Sequence, residues 1–338
     1  MINKLKKALK RESTKLKYED LVFLNELLKT GLSFKNSLEL LANKTNEKII
    51  VEIINKMDVG VSVEEVMDIY VPKNIGVYLI PLSKKMSFSN SLNLSLSFIE
   101  KEKEYTKSLM GSFLYPFILL FLSLSALYIF DAYGLDTILN MLKSFNEDFG
   151  NVGAFRIILR IIIYIFYILL MVVLVLALYF FRNRNITLFY VLICKYLPNS
   201  IVQKYFCVEF VSLLNICLNN GYKSKESIDI LKSLHNKPIT AFLAYHLYER
   251  LLEGETLKQA SKQAYYDYSL SKFINIAIHS NDFSKILNDY VNLSTKQIKT
   301  KMKKTAGIIQ FVTYCMIGIV IIFVYQILFL PMNALANF

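Results

Sequence analysis

Twice along this chain a Lys-rich helical stretch passes without a break into an apolar run long enough to cross a bilayer, first over residues 101–131 and again over 295–331. A third apolar run lies between them, so that the uninterrupted hydrophobic segments fall at about 111–133, 157–181 and 307–330. Each exceeds the ~20 residues that a helix needs to cross a ~30 Å hydrocarbon core. An irregular segment in lipid would strand its backbone N–H and C=O groups, so these runs are expected to be helices. That reading accounts for the 54% of residues that are hydrophobic, more than an ordinary soluble protein carries.

Charge placement then sets the expected orientation. Of the 39 Lys and Arg residues, 18 precede the first run and 18 lie between 182 and 306, whereas 132–155 holds only Lys143 against Asp136, Glu147 and Asp148. By the positive-inside rule both large segments are expected in the cytoplasm, with the 134–156 loop and the 331–338 tail outside. Arg156 and Arg160 run against that rule at the outer start of the second span. The Lys-rich beginning leads into a polar stretch and shows no signal-peptide pattern. The expected protein is thus a multi-pass cell-membrane protein with a cytoplasmic N-terminus.

The segments before the first and third spans resemble each other. Leu24, Leu28, Gly31, Leu38 and Leu41 recur as Leu214, Leu218, Gly221, Ile228 and Leu231 at a shift of 190, and Gly60, Ser62, Glu65 and Val66 recur as Gly254, Thr256, Gln259 and Ala260 at 194. Ser62 with Glu65, and Thr256 with Gln259, each have capping-box spacing. The 194 shift also lays Ile286 on Leu92. Apolar spacings of three and four in both segments call for helices. The expected fold is an all-α membrane protein with three transmembrane helices and two homologous helical bundles. Its divisions are a basic amphipathic segment at 1–17, a first module at 18–110, spans at 111–133, 157–181 and 307–330, and a second module at 182–306.

Residues that carry chemistry are scarce. The sequence has no phosphate-cradling GxxxxGK[ST], no GxSxG elbow and no metal-ligand spacing among His235, His246 and His279, while Cys194, Cys207, Cys217 and Cys315 fit reduced thiols. No enzyme activity, cofactor or metal is expected. Ionisable groups are absent from the middles of the spans, which argues against a transporter. Basic residues interleaved with acids, without alternating aromatics, argue against direct nucleic-acid binding. What remains is packing and docking. Gly307, Gln310, Tyr314 and Gly318 on the third span, and Ser123 and Ala126 on the first, form small-or-polar stripes suited to helix contacts within one chain or with a second copy. Lys4, Lys7 and Lys10 on the N-terminal segment are candidate partner contacts, through an acidic patch or anionic lipid.

The ordered set of Leu24, Leu27, Leu28 and Gly31, Gly60-Val61-Ser62, Tyr115-Pro116, Gly221, Gly254-Glu255-Thr256 and Pro331 resembles the type II secretion F / type IV pilus inner-membrane platform family. The short length and plain termini look most like its Gram-positive competence branch. That resemblance implies a platform in the cell membrane beneath a pilin-like filament, contacting a hexameric cytoplasmic ATPase and pilin-like subunits, and assembling as a homo-oligomer. In the competence branch the filament serves DNA uptake. One departure stands out: where many members have GE-x-SG-x-L, this chain has residues 86–92 and 280–286, in which only Asp282 stays near the acidic position. The chain therefore lacks most of the groups that a metal or charge role tied to that motif would use.

Overall fold

The computed structural model describes residues 15–42, 47–137, 140, 186–280 and 282–336, with scattered positions between 157 and 175. Among the described residues the chain is helical without strands, and it divides into two compact units, one of 1–105 with 187–295 and one of 106–186 with 296–338.

In the first unit the first repeat comprises α1 (Tyr18–Lys29), α2 (Phe34–Ala42), α3 (Glu47–Asp58), α4 (Val63–Tyr70), α5 (Lys73–Ser83) and the start of α6 (Phe88–Ile129). After α7 (Ile186–Tyr196), the second repeat runs through α8 (Ile201–Asn219), α9 (Ser224–Lys232), α10 (Pro238–Leu252), α11 (Leu257–Ala260), α12 (Tyr268–Ile278) and the start of α13 (Phe283–Ala336). Equivalent positions fill equivalent places. Leu24 and Leu38 of one core are buried with Leu214 and Ile228 of the other, as are Leu41 with Leu231 and Val66 with Ala260. The alignment needs one correction near its end. The helices that begin at Lys73 and Phe88 are matched by helices that begin at Tyr268 and Phe283, a shift of 195. Leu287, not Ile286, therefore takes the fully buried place of Leu92. The extra residue is taken up where α11 stops at Ala260, after four residues against the eight of α4, and turns follow.

Local chemistry explains where these helices begin and end. Ser62 Oγ accepts the Glu65 N–H at 3.3 Å, and at this site only that half of the capping box forms. At Thr256 the box is reciprocal: Oγ1 accepts the Gln259 N–H at 3.3 Å and Gln259 Oε1 accepts the Thr256 N–H at 3.0 Å. Gly31, Gly60, Gly221 and Gly254 all lie in the left-handed region, at φ of 87°, 94°, 87° and 87°. They follow helix C-termini, where this conformation lets the chain turn away while the last carbonyls remain bonded.

Three helices are long and apolar enough to cross a membrane among the described residues: Ile118–Thr137, Ile201–Asn219 and Phe283–Ile322. The middle one differs in kind, because 61% of its apolar window is buried inside the protein, against 28% and 11% for the others. It is α8, the central helix of the second repeat, packed against α9 and α10. It also holds a buried Lys204 at 3.7 Å from Asp267. Its hydropathy reflects a core position. The second span expected from sequence, 157–181, lies mostly outside the described residues. Its described positions are helical, and Ile161, Ile165, Ile168, Met171 and Val175 among them are exposed. Pro116, inside α6, and Pro331, inside α13, are both helical.

Nothing lies within 4 Å of a Cβ built on Gly31 or Gly221, so a side chain there would cost conformation and not space. Gly31→Val or Gly221→Val in the full-length protein is expected to destabilise by at least about 1 kcal/mol, with Asn costing less than Ala and Ala less than Val. Thermal melting in detergent reads the ranking; equal melting of all three substitutions would contradict it.

Candidate functional site: the seam joining the two repeats

α6 leaves the first repeat alongside the second, and a line of polar contacts fastens the two. At its centre is Lys237, the residue before α10. Its ammonium donates to Glu102 of α6 at 2.7 Å and to Glu209 of α8 at 2.8 Å. Tyr78 of α5 donates its hydroxyl to the other oxygen of Glu102 at 2.8 Å. Burial disfavours the Lys237 charge, but the carboxylate of Glu209, with Tyr78 and Glu102, outweighs burial and holds the ammonium well above its ordinary value. Burial likewise pushes the Tyr78 phenol upward, which keeps it a neutral donor.

Further along the seam Asn25 of α1 donates to Asn93 of α6 at 3.2 Å, and Asn93 donates to Asn220, just past α8, at 2.8 Å. Lys85 bonds the backbone oxygen of Asp229 at 2.9 Å and its carboxylate as well. The Lys85 hydrogen bond holds the Asp229 carboxyl below the ordinary carboxylate range. Tyr222 donates to the Met86 sulfur at 3.2 Å. Two carboxylate–lysine links, one amide relay and one thioether contact thus cross between repeats.

The sequence reading missed the buried Asn25 and Asn215, which are 4% and 6% exposed. They are equivalent, each following a core leucine (Leu24, Leu214) at the 190 shift, and that repeated Leu-Asn pair was the available signal. Each ties its repeat's first helix to its long helix: Asn25 to Asn93 of α6, and Asn215 to Ser284 of α13. A buried amide without a partner would be costly, so the pair also fixes the register of the helices it joins.

In the second unit α6 ends in a π-helical turn, Phe130–Gly134, that carries Asp131. Asp131 is 8% exposed, and Arg160 Nε donates to its two oxygens at 2.9 and 3.2 Å. The arginine that runs against the charge rule is therefore balanced by a carboxylate from the preceding span. A Cβ at Gly134 would meet the Phe130 ring at 2.7 Å, so a larger residue there would have to displace that ring. The stripes expected on the spans divide. Ser123 is buried beside Leu124 and Leu127, whereas Ala126 is exposed. Gln310 donates to Tyr314 at 2.9 Å along one helix, and Tyr314 is also a hydrogen-bond partner of Tyr115. Gly307 and Gly318 have nothing within 4 Å of a Cβ, so neither makes a close helix crossing within the described chain. Thr313 on that span, and Ala306 just before it, are buried. Lys4, Lys7 and Lys10 lie outside the described residues.

Asp282, the remnant of the acidic motif, caps α13: its Oδ1 accepts the Lys285 N–H at 2.9 Å. Among the described residues no three His, Cys, Asp or Glu side chains gather as a metal site. Cys207 and Cys217 are buried, and burial pushes each thiol up to about 12, away from reactive thiolate chemistry.

Removing the Lys237 ammonium leaves two carboxylates facing each other. Lys237→Met is expected to destabilise the full-length protein by about 2 kcal/mol, less than for a fully buried pair because Glu102 is partly exposed. Because its value is raised on folding, this contribution is fully present below the ordinary lysine value of about 10.4 and is lost only as pH rises through the folded value. Urea unfolding of wild type and variant between pH 6 and 9 should therefore give a constant difference; a difference that vanishes by pH 9 would contradict the assignment.

Residues 210–331, from the second half of α8 through the apolar part of α13, match the family model for the type II secretion system (T2SS) protein F. No curated protein matches the chain.

Proposed function

We propose that this chain is a membrane platform of the type II secretion F / type IV pilus kind, which couples a hexameric cytoplasmic ATPase to the polymerisation of pilin-like subunits and catalyses no reaction itself. The observation that carries this reading is the protein F match over 210–331, on a chain that repeats the same helical module before another apolar helix. Each module ends in a helix that continues as an apolar segment: α6 has 42 residues and α13 has 54. At 1.5 Å per residue these are about 60 and 80 Å long, enough to combine a soluble section with a bilayer crossing. Both modules lie in the cytoplasm on this reading, with 134–156 and 331–338 outside. The seam lets the modules answer a motor as one body, and the copies assemble as a homo-oligomer. Within the family, the competence pseudopilus for DNA uptake is the preferred system.

Orientation is tested by cysteine labelling from outside the cell on a cysteine-free background. Positions 146 and 337 should label and positions 62 and 256 should not; the reverse pattern would overturn the topology. Function is tested by deletion. Loss of the gene should abolish surface filaments, and DNA uptake in a competent host, while pilin and ATPase levels stay normal. Filaments in normal number after deletion would refute the platform reading and favour a membrane scaffold of another complex.

A further inference from the structure

The first unit contains two large cavities, each running along the fifth helix of a repeat, and the first also takes Ser233, His235 and Asn236 of the second repeat into its lining. The first, of about 690 Å³, is lined along α5 by Lys73, Gly76, Val77, Ile80 and Pro81. The second, of about 780 Å³, is lined along α12 by Tyr268, Ser271, Lys272, Asn275 and Ile276. At the 195 shift these are the same five positions. The duplication has therefore kept a concavity on the opening face of the fifth helix while exchanging almost every side chain that lines it.

What the exchange preserved is charge sign. The first cavity gathers Lys15, Lys73, Lys84 and Lys85 around one carboxylate, Asp68. The second gathers Lys258, Lys262 and Lys272, with no carboxylate in its lining. None of these lysines stands at an equivalent position in the other cavity, so common descent alone does not account for the shared excess. Some of the charge is already engaged: Lys85 pairs with Asp229, and Lys15 donates to the Val71 carbonyl at 2.7 Å. Among the described residues, Lys73, Lys84, Lys258 and Lys262 have no ion-pair partner. Each cavity also exposes an aliphatic side chain, Ile80 in one and Ile276 in the other. In the second, the Gln263 side-chain nitrogen is buried with no acceptor among the described residues. A donor in that state calls for an incoming oxygen.

We propose that the two cavities are like docking sites, one along the fifth helix of each module, for acidic peptide segments that carry an aliphatic side chain. Cations beside an exposed isoleucine suit a carboxylate next to a hydrophobic residue, a pairing that a bare phosphate lacks. Cavities are also poorly shaped for a bilayer surface, which meets protruding lysines first. Two like sites on one chain suit a partner that presents the same segment more than once. The inference stands apart from the platform reading, since it concerns only what these cavities bind.

The test uses the full-length protein in nanodiscs of neutral lipid and a fluorescein-labelled octapeptide of alternating Glu and Leu, read by anisotropy. Two peptides should bind per chain, with affinity falling as salt rises. Lys73→Glu with Lys84→Glu should remove one site, and Lys262→Glu with Lys272→Glu the other. All four together should weaken binding at least tenfold, while Lys48→Glu with Lys225→Glu, elsewhere on the surface, should change nothing. Where charge reversal lowers the melting temperature, the Lys→Gln versions of the same pairs should give the same pattern. Binding unaffected by the four substitutions, or a single site surviving neither pair, would overturn the proposal. So would a protein that ignores the peptide but sediments with anionic lipid vesicles through these lysines.

Discussion

The ammonium of Lys237, shared between Glu102 and Glu209, is the contact on which the joining of the two repeats depends. It joins the helix that leaves the first repeat to the central helix of the second, and Tyr78 completes the carboxylate's bonding. A partly buried cation between two carboxylates is net negative and poorly solvated, so its geometry must be held by the surrounding packing. The asparagine relay through Asn93 and the Lys85–Asp229 link supply that support at two other points along the seam. The repeats are therefore one unit and not two beads on a string, as their joint compactness also indicates.

Duplication explains why this arrangement can be asymmetric. Both repeats keep the same internal skeleton: paired leucines, a buried asparagine that ties the first helix to the long one, and a left-handed glycine after the first and third helices. Their outer surfaces have been free to diverge. Glu102 on α6 corresponds to Gln297 on α13, so the carboxylate that receives Lys237 belongs to one repeat alone. The cavities show the reverse case, in which side chains changed but the excess of positive charge remained.

Much of the skeleton was legible in the sequence because it rests on local rules. Gly31 and Gly221 end apolar helical patterns, and a helix C-terminus asks for a residue that tolerates positive φ. Thr256 and Gln259 have the spacing of a reciprocal cap, and they form one. Hydropathy was less decisive, because α8 is as apolar as a span yet is covered by its own module, and only tertiary contacts separate those cases. The register slip that puts Leu287 in place of Ile286 arose where α11 unwinds early, which no propensity argument foretells. The seam was not legible at all. Lys237, Glu102 and Glu209 look like ordinary surface charges until folding brings residues more than a hundred positions apart into contact. Arg160 was visible as a charge at a span end, but its pairing with Asp131 depends on how two helices meet.

If the platform account is right, α6 and α13 transmit force because each is a single helix from module to apolar segment. The most direct measurement is to interrupt that continuity with a four-residue Gly-Ser insertion after Lys103 or Lys299, compared with four alanines at the same points, and to count surface filaments in cells with equal amounts of membrane-inserted protein. The account predicts that Gly-Ser insertions abolish filaments while alanine insertions, which preserve the helix, retain a substantial fraction. Filaments in normal number with the Gly-Ser insertions would contradict transmission through these helices.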